Sequence, residues 1–252
     1  MLSNTETSRI NNPELAGHLE TFIKNVTEKC PGNIRSIVLY GGVAKGDFTE
    51  GRSNTNLLLV FESIDLPVLD SLSVIFQKAI SDFRFSPFLL TISEIEPAKN
   101  VFAVKLFDIQ QHHILLYGED PVKGLQFKKE TLAFISEQEL RNQISRMKYF
   151  YIRNFNMPEM LNEKILKSFT TLLINANIYL YLEEGKYYRT RDEIIARIQQ
   201  LPNMEQDVLH ELILLRKGEL KTDAEGIKNL YGKLMLQYKH LIKDLQKMSQ
   251  HG

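Results

Sequence analysis

Residues 36–61 read SIVLYGGVAKGDFTEGRSNTNLLLVF, and this stretch decides the fold. It contains two short apolar runs, residues 36–40 and residues 57–61, which are bounded by glycine or polar residues. Short apolar runs with such boundaries are typical of buried β-strands. The stretch therefore predicts two strands, and the polar segment between them is where chemistry can be built.

The connection between the two strands has features of a phosphate-binding turn. Gly41 and Gly42 close the first run, Lys45 follows, and Asn54 and Asn56 open the second run. Glycine lets backbone N–H groups approach a phosphate, and a nearby lysine supplies positive charge. The Walker and dinucleotide glycine patterns are both absent. On residue types alone, a tight turn remains the more frequent explanation of a glycine pair after a strand.

The flanking sequence predicts a small α/β domain. Apolar residues recur at helical spacing over residues 13–29 and again over residues 66–83, and a third apolar run covers residues 87–92. The order is helix, strand, strand, helix, strand, which is an α/β arrangement. We place the end of this domain after residues 115–121, so the predicted first domain is residues 1–125.

The rest of the chain, residues 126–252, is predicted to be a helical bundle. Three capping boxes predict helix starts at Ser136 to Glu139, Thr190 to Glu193 and Thr222 to Glu225. Two further helices are expected at about residues 163–184 and 204–217. The first of these is apolar on most of its surface, which predicts a position at the centre of the bundle.

Composition excludes several classes of protein. The chain has 252 residues, 31 basic and 31 acidic side chains and a single cysteine, so a disulfide framework is excluded. No apolar stretch is long enough for a membrane helix, and the N-terminus lacks a signal peptide, so we expect a cytoplasmic protein. Residues 1–125 carry 11 basic and 15 acidic residues, and residues 126–252 carry 20 and 16. This asymmetry is too weak to predict nucleic-acid binding.

Residues 36–61 resemble the signature of the DNA polymerase β-like nucleotidyltransferase superfamily. In that pattern a strand runs into Gly-Ser or Gly-Gly, a small basic Gly-Asp loop follows, and Ser-Asp-x-Asp opens the next strand. The matching positions are Gly41, Gly42, Ala44, Lys45, Gly46, Asp47, Gly51 and Ser53. The resemblance implies an α+β fold, with a small mixed sheet and flanking helices followed by an all-α bundle, as in bacterial minimal and aminoglycoside-type members. It also implies nucleotide contacts at Gly41, Gly42, Lys45, Gly46, Asp47 and Ser53.

The chain departs from that pattern at the two metal-binding carboxylates. Where the family has Asp-x-Asp, this sequence reads Asn54-Thr55-Asn56, and the third apolar run, which should carry a further acid, has none. At an effective dielectric constant of about 20 and a separation of about 4 Å, two unit charges attract with about 4 kcal/mol, and a divalent ion roughly doubles this energy. Asparagine forfeits that attraction. We therefore predict that Asn54 and Asn56 are vestigial, that no metal is bound firmly, and that a Mg-nucleotide binds weakly at most.

Other patterns carry less information. Asp47 and Glu50 are the nearest acids to the asparagines, and pairing with Lys45 or Arg52 is the more frequent role of such loop acids. The adjacent His112 and His113 are predicted to open a strand, so their side chains point to opposite faces and cannot hold one ion. The resemblance also suggests a HEPN-type helical domain, but the arginine–histidine pair of its ribonucleases is missing. Two aromatic groups either stack a base or pack in the core: Tyr149–Tyr151 with Phe155, and Tyr187–Tyr188.

The sequence therefore favours a nucleotidyltransferase-like protein that has lost catalysis. Its expected role is a nucleotide-binding or protein-interaction module, with the ligand or protein partner in a cleft between the domains. One alternative is an active enzyme that moves a nucleoside monophosphate from a nucleoside triphosphate to a small molecule or protein through atypical metal ligands. Another is a structural component that dimerises through its helical domain.

Overall fold

The computed structural model of the chain describes residue 10, residues 12–46 and residues 54–249. The chain divides into two compact units, residues 1–126 and residues 127–252. The first unit combines a sheet with helices. In the described part of the second unit, the regular elements are helices.

The first unit contains a mixed sheet flanked by helices. Its elements are α1 (Pro13–Lys29), β1 (Ile34–Tyr40), β2 (Thr55–Phe61), α2 (Leu66–Phe83), β3 (Phe85–Thr91), α3 (Ile92–Val101), α4 (Ala103–Gln111) and β4 (His113–Gly118). The strand order is β3-β2-β1-β4, with β2 and β3 parallel and the other neighbours antiparallel. This is the predicted α+β class with a small mixed sheet.

Both faces of the sheet are buried along β1 and β2, and the candidate site lies at one end of the face that carries Val38, Leu58 and Val60. Side chains alternate along a strand, so Leu39 and Leu57 point to one face, where they pack in a core with α1 and α2. Tyr40, Asn56 and Ser86 are aligned across β1, β2 and β3 and share the opposite face. The strand register thus places Asn56 on the face away from α1 and α2, and Asn54 directly precedes β2.

Two short helices in the first unit are absent from the sequence prediction. The third apolar run was expected to extend to residue 92, but β3 ends at Thr91, where a capping box with Glu94 begins α3. Pro97 lies inside α3, and α4 follows after a single residue. A proline and a break one turn later weaken the helical pattern, which explains why these helices were missed.

The second unit is a helical bundle built around a central helix. Its elements are α5 (Lys129–Asn154), α6 (Pro158–Glu184), α7 (Arg191–Ile198), α8 (Gln206–Lys217) and α9 (Ala224–Ser249). The apolar helix α6 supplies much of the buried core, as predicted. The buried hydroxyls of Tyr231 and Tyr238 donate to backbone carbonyls of α5 and α6. Over the described residues, no helix combines the length and apolar character needed to cross a bilayer.

The predicted capping boxes have different outcomes. Thr190 caps α7 as expected. Ser136 lies inside α5, where it is buried and donates to Asn175, because the same spacing also occurs along a helix interior. At α9 the side chain of Asp223, rather than Thr222, accepts a backbone N–H of the first turn.

Candidate functional site

A turn that begins with Gly41 follows the end of β1, beside Asn56 of β2. Gly41 has a φ of +75°, and the turn is closed by a hydrogen bond from the Lys45 N–H to the Gly41 carbonyl, at 3.1 Å. A Cβ atom at Gly41 would lie 2.8 Å from Nδ2 of Asn56. The backbone conformation favours glycine at this position, and a Cβ atom would also require the end of the Asn56 side chain to shift. Gly42 and Gly46 belong to the same turn, whereas Asp47 and Ser53 lie outside the described residues.

The two asparagines form a polar row beside this turn. Asn56 is half-buried and stands opposite Tyr40 in the antiparallel register. Its Nδ2 atom lies 3.5 Å from the backbone oxygen of Asn54, and the exposed Asn54 side chain accepts a hydrogen bond at Oδ1 from Nε of Arg84, at 3.2 Å. The row thus runs from Gly41 through both amides to a guanidinium group.

Arg84 holds its place in this row through an unusual backbone conformation. It caps the C-terminus of α2 with φ 52° and ψ 44°, and it is the one non-glycine residue with positive φ in the described part of the chain. The left-handed conformation costs an L-residue about 1–2 kcal/mol. Its carbonyl accepts the Thr55 N–H at 3.2 Å, so the backbone of Arg84 also contacts the start of β2. Sequence reasoning missed this residue, although a helix that must reverse directly into a strand was a usable signal.

A buried ion pair anchors the other side of the glycine turn. Nζ of Lys45 lies 2.5 Å from Oδ1 of Asp108 on α4, and the two side chains are 14% and 8% exposed. Burial of the hydroxyl and, to a lesser extent, the nearby Asp108 carboxylate raise the pKa of Tyr40 above its ordinary value. The loop acids expected to pair with Lys45 lie outside the described residues. Asp108 was missed because it stands 63 residues away on a helix that the sequence did not reveal.

Helix α4 contributes a second cation, Lys105, which lies over the same face of the sheet. Nζ of Lys105 is 4.2 Å from the ring centroid of Phe88 and 6.0 Å from that of Tyr40. Both distances are within cation–π range. Lys105 and Asp108 are three residues apart, which places them on one side of the helix. Helix α4 therefore brings a lysine and a carboxylate to the face that carries Asn56.

Strand β3 brings no carboxylate to this face of the sheet. The residues of β3 that share it are Ser86, Phe88 and Leu90, and β3 contains no acid. In the described ranges, no cluster of three or more His, Cys, Asp or Glu side chains is arranged to hold a metal ion.

The adjacent histidines do not converge on one ion. His112 caps α4, and only His113 lies in β4, so the prediction that both open a strand was wrong for His112. Nε2 of His113 lies 3.2 Å from Asp120, and Nδ1 lies 2.8 Å from the Ile109 carbonyl. The ring is thus engaged in local contacts.

Comparisons with known proteins find a similar structure but no similar sequence. No protein-family model matches the chain, and no curated protein matches it. Among solved structures, it is similar to the crystal structure of spectinomycin adenyltransferase AAD(9) from Enterococcus faecialis with ATP and spectinomycin. The TM-score is 0.62 at 11% identity, and the match covers 91% of this chain and 98% of that one. The likeness shows a nucleotidyltransferase-like α+β fold.

Proposed function

We propose that this chain binds a nucleoside triphosphate at the polar row and does not catalyse metal-dependent nucleotidyl transfer. The proposal rests on the chemical identity of the Asn54 side chain and on its hydrogen bond with Arg84. This side chain has an amide in place of a carboxylate, and the one oxygen of that amide accepts a hydrogen bond from Arg84. A position that resembles a metal-binding site thus faces a cation of the protein itself.

The electrostatics of the row favour an anion over a divalent cation. A Mg²⁺ ion usually depends on one or two carboxylates, and a guanidinium beside its ligand repels it. A triphosphate is attracted by the same guanidinium and accepts hydrogen bonds from a glycine turn. The similar AAD(9) structure contains ATP, which supports a nucleotide as the ligand class.

An active nucleotidyltransferase is the second candidate, and Asp108 is the observation that favours it. This carboxylate contacts Lys45 of the glycine turn, and in this candidate it takes the role of the acid that β3 lacks. In this version of the site, Asp108 would have to leave Lys45 in order to bind a metal ion or accept the proton of an acceptor hydroxyl. Transfer would form a bond from the acceptor oxygen to the α-phosphorus and release pyrophosphate.

Calorimetry and a pyrophosphate assay separate the two candidates. We expect ATP binding that does not require Mg²⁺, and no pyrophosphate release above background with a panel of nucleotides and acceptors. Gly41→Ala should weaken binding, because the new Cβ displaces Asn56. The double variant Asn54→Asp with Asn56→Asp should gain a Mg²⁺-dependent component of about 1–3 kcal/mol. Pyrophosphate release by the unmodified chain, abolished in Gly41→Ala, would establish the active enzyme instead.

A further inference from the structure

Arg84 combines an unfavourable backbone conformation with a position in the polar row. A C-cap in the left-handed region is most often glycine, which adopts it without strain. This chain has an arginine there, with φ 52° and with its Nε atom donating to Asn54. Residues in sparsely populated backbone conformations concentrate at functional sites, and an observed outlier is grounds for a hypothesis of function. The side chain of Arg84 therefore needs an explanation beyond capping.

We propose that Arg84 supplies the positive charge that a metal ion supplies in related active sites, and that its guanidinium binds the phosphates of the nucleotide. This inference rests on the proposed function, and it identifies Arg84 as the residue that makes the site select a negatively charged ligand. The hydrogen bond from Nε to Asn54 orients the guanidinium plane. A planar guanidinium recognises phosphate oxygens through paired hydrogen bonds.

The inference makes the asparagines part of the binding site. An aspartate at position 54 would place a carboxylate beside Arg84, whereas the Asn54 amide oxygen accepts the hydrogen bond from Nε and brings no negative charge of its own. It follows that Mg²⁺ should weaken ATP binding, because the ion neutralises the phosphate charge that Arg84 recognises.

Binding measurements with matched arginine variants test the role of the charge. The probes are ATP and inorganic tripolyphosphate, each without Mg²⁺. Arg84→Gln should raise the dissociation constant of both probes by about tenfold or more, as expected for a lost charged hydrogen bond. The control is Arg35→Gln, which removes the same charge from an exposed pair with Glu62 and should change affinity by less than about twofold.

Thermal unfolding tests the backbone part of the inference. Arg84→Gly and Arg84→Gln both lack the guanidinium, but only glycine relieves the left-handed conformation. We expect Arg84→Gly to melt about 2 °C or more above Arg84→Gln and to bind both probes equally weakly. A melting temperature of Arg84→Gly at or below that of Arg84→Gln would show that the backbone at position 84 is not strained, and it would overturn that part of the inference.

The outcomes distinguish this inference from the proposed function. If the unmodified chain binds ATP and Arg84→Gln binds it equally well, the role of Arg84 is overturned and the nucleotide site stands. If the unmodified chain binds neither ATP nor tripolyphosphate, both proposals fail. If ATP binding improves when Mg²⁺ is added, the replacement of a metal ion by Arg84 is wrong.

Discussion

Replacing Lys45 with methionine should destabilise the first unit strongly. The change removes the cation from a pair whose side chains are 14% and 8% exposed, and it leaves the Asp108 carboxylate buried without that partner. Removing one member of a buried ion pair costs about 3–5 kcal/mol, compared with about 0–1 kcal/mol for a surface pair. Because domains have total stabilities of about 5–15 kcal/mol, the loss is a large fraction of what holds this unit together.

Replacing both members of the pair should restore most of the lost stability. A buried pair is close to neutral relative to apolar side chains of similar volume, because the attraction of the charges barely offsets their desolvation. We expect Lys45→Met with Asp108→Leu to lie within about 1–2 kcal/mol of the unmodified chain. The double variant thus separates the loss of the pair from simple disruption of the turn.

Far-UV circular dichroism during urea unfolding is the appropriate assay, because the chain has no tryptophan to report by fluorescence. Hydrogen exchange of the β1 and β4 amides adds a readout that is local to the first unit. A loss below about 1 kcal/mol in Lys45→Met would show that the pair behaves as a solvated surface pair. A double variant as unstable as the single one would show that burial of the carboxylate is not the cause.

Three further predictions follow from individual contacts. Tyr238→Phe removes a buried hydroxyl that donates to the Ser168 carbonyl at 2.7 Å, and we expect a loss of about 1–2 kcal/mol in urea unfolding. In Gly118→Ala, the new Cβ would lie 1.8 Å from the Arg35 carbonyl oxygen at a φ of +77°, so we expect a loss of about 2–5 kcal/mol and faster exchange of the β1–β4 amides. Hydrogen bonds at the α7 cap lower the pKa of Glu193 below its ordinary 4.5, and the largest effect is that of the Thr190 backbone N–H. The contribution of the Glu193 carboxylate to the free energy of unfolding should be fully present above pH 4.5 and disappear as the pH falls through the lowered pKa. Glu193→Gln should remove this pH dependence from urea unfolding.

Much of the candidate site was predictable because its signals are local in the chain. The glycine turn and the two asparagines lie within a few residues of two apolar strands, and strand alternation alone places Asn54 and Asn56 on one face. The partners of these residues were not predictable. Asp108 reaches Lys45 from a distant helix, and Arg84 reaches Asn54 across the parallel β2–β3 pair.

By itself, the sequence determined the strands of the sheet, the amphipathic helices α1 and α2, and the helical character of the second half. Each of these follows from hydrophobic periodicity, which reports the face that an element buries. Only the tertiary structure decided which charged side chains contact the glycine turn, Asn54 and the neighbouring sheet face. Charge pairing depends on distances between elements. Arg84 after the end of α2, and Lys105 and Asp108 on α4, show no periodicity that marks the residues they contact. The two amides at positions 54 and 56 are therefore visible in the sequence, whereas the guanidinium beside Asn54 is visible only in the fold.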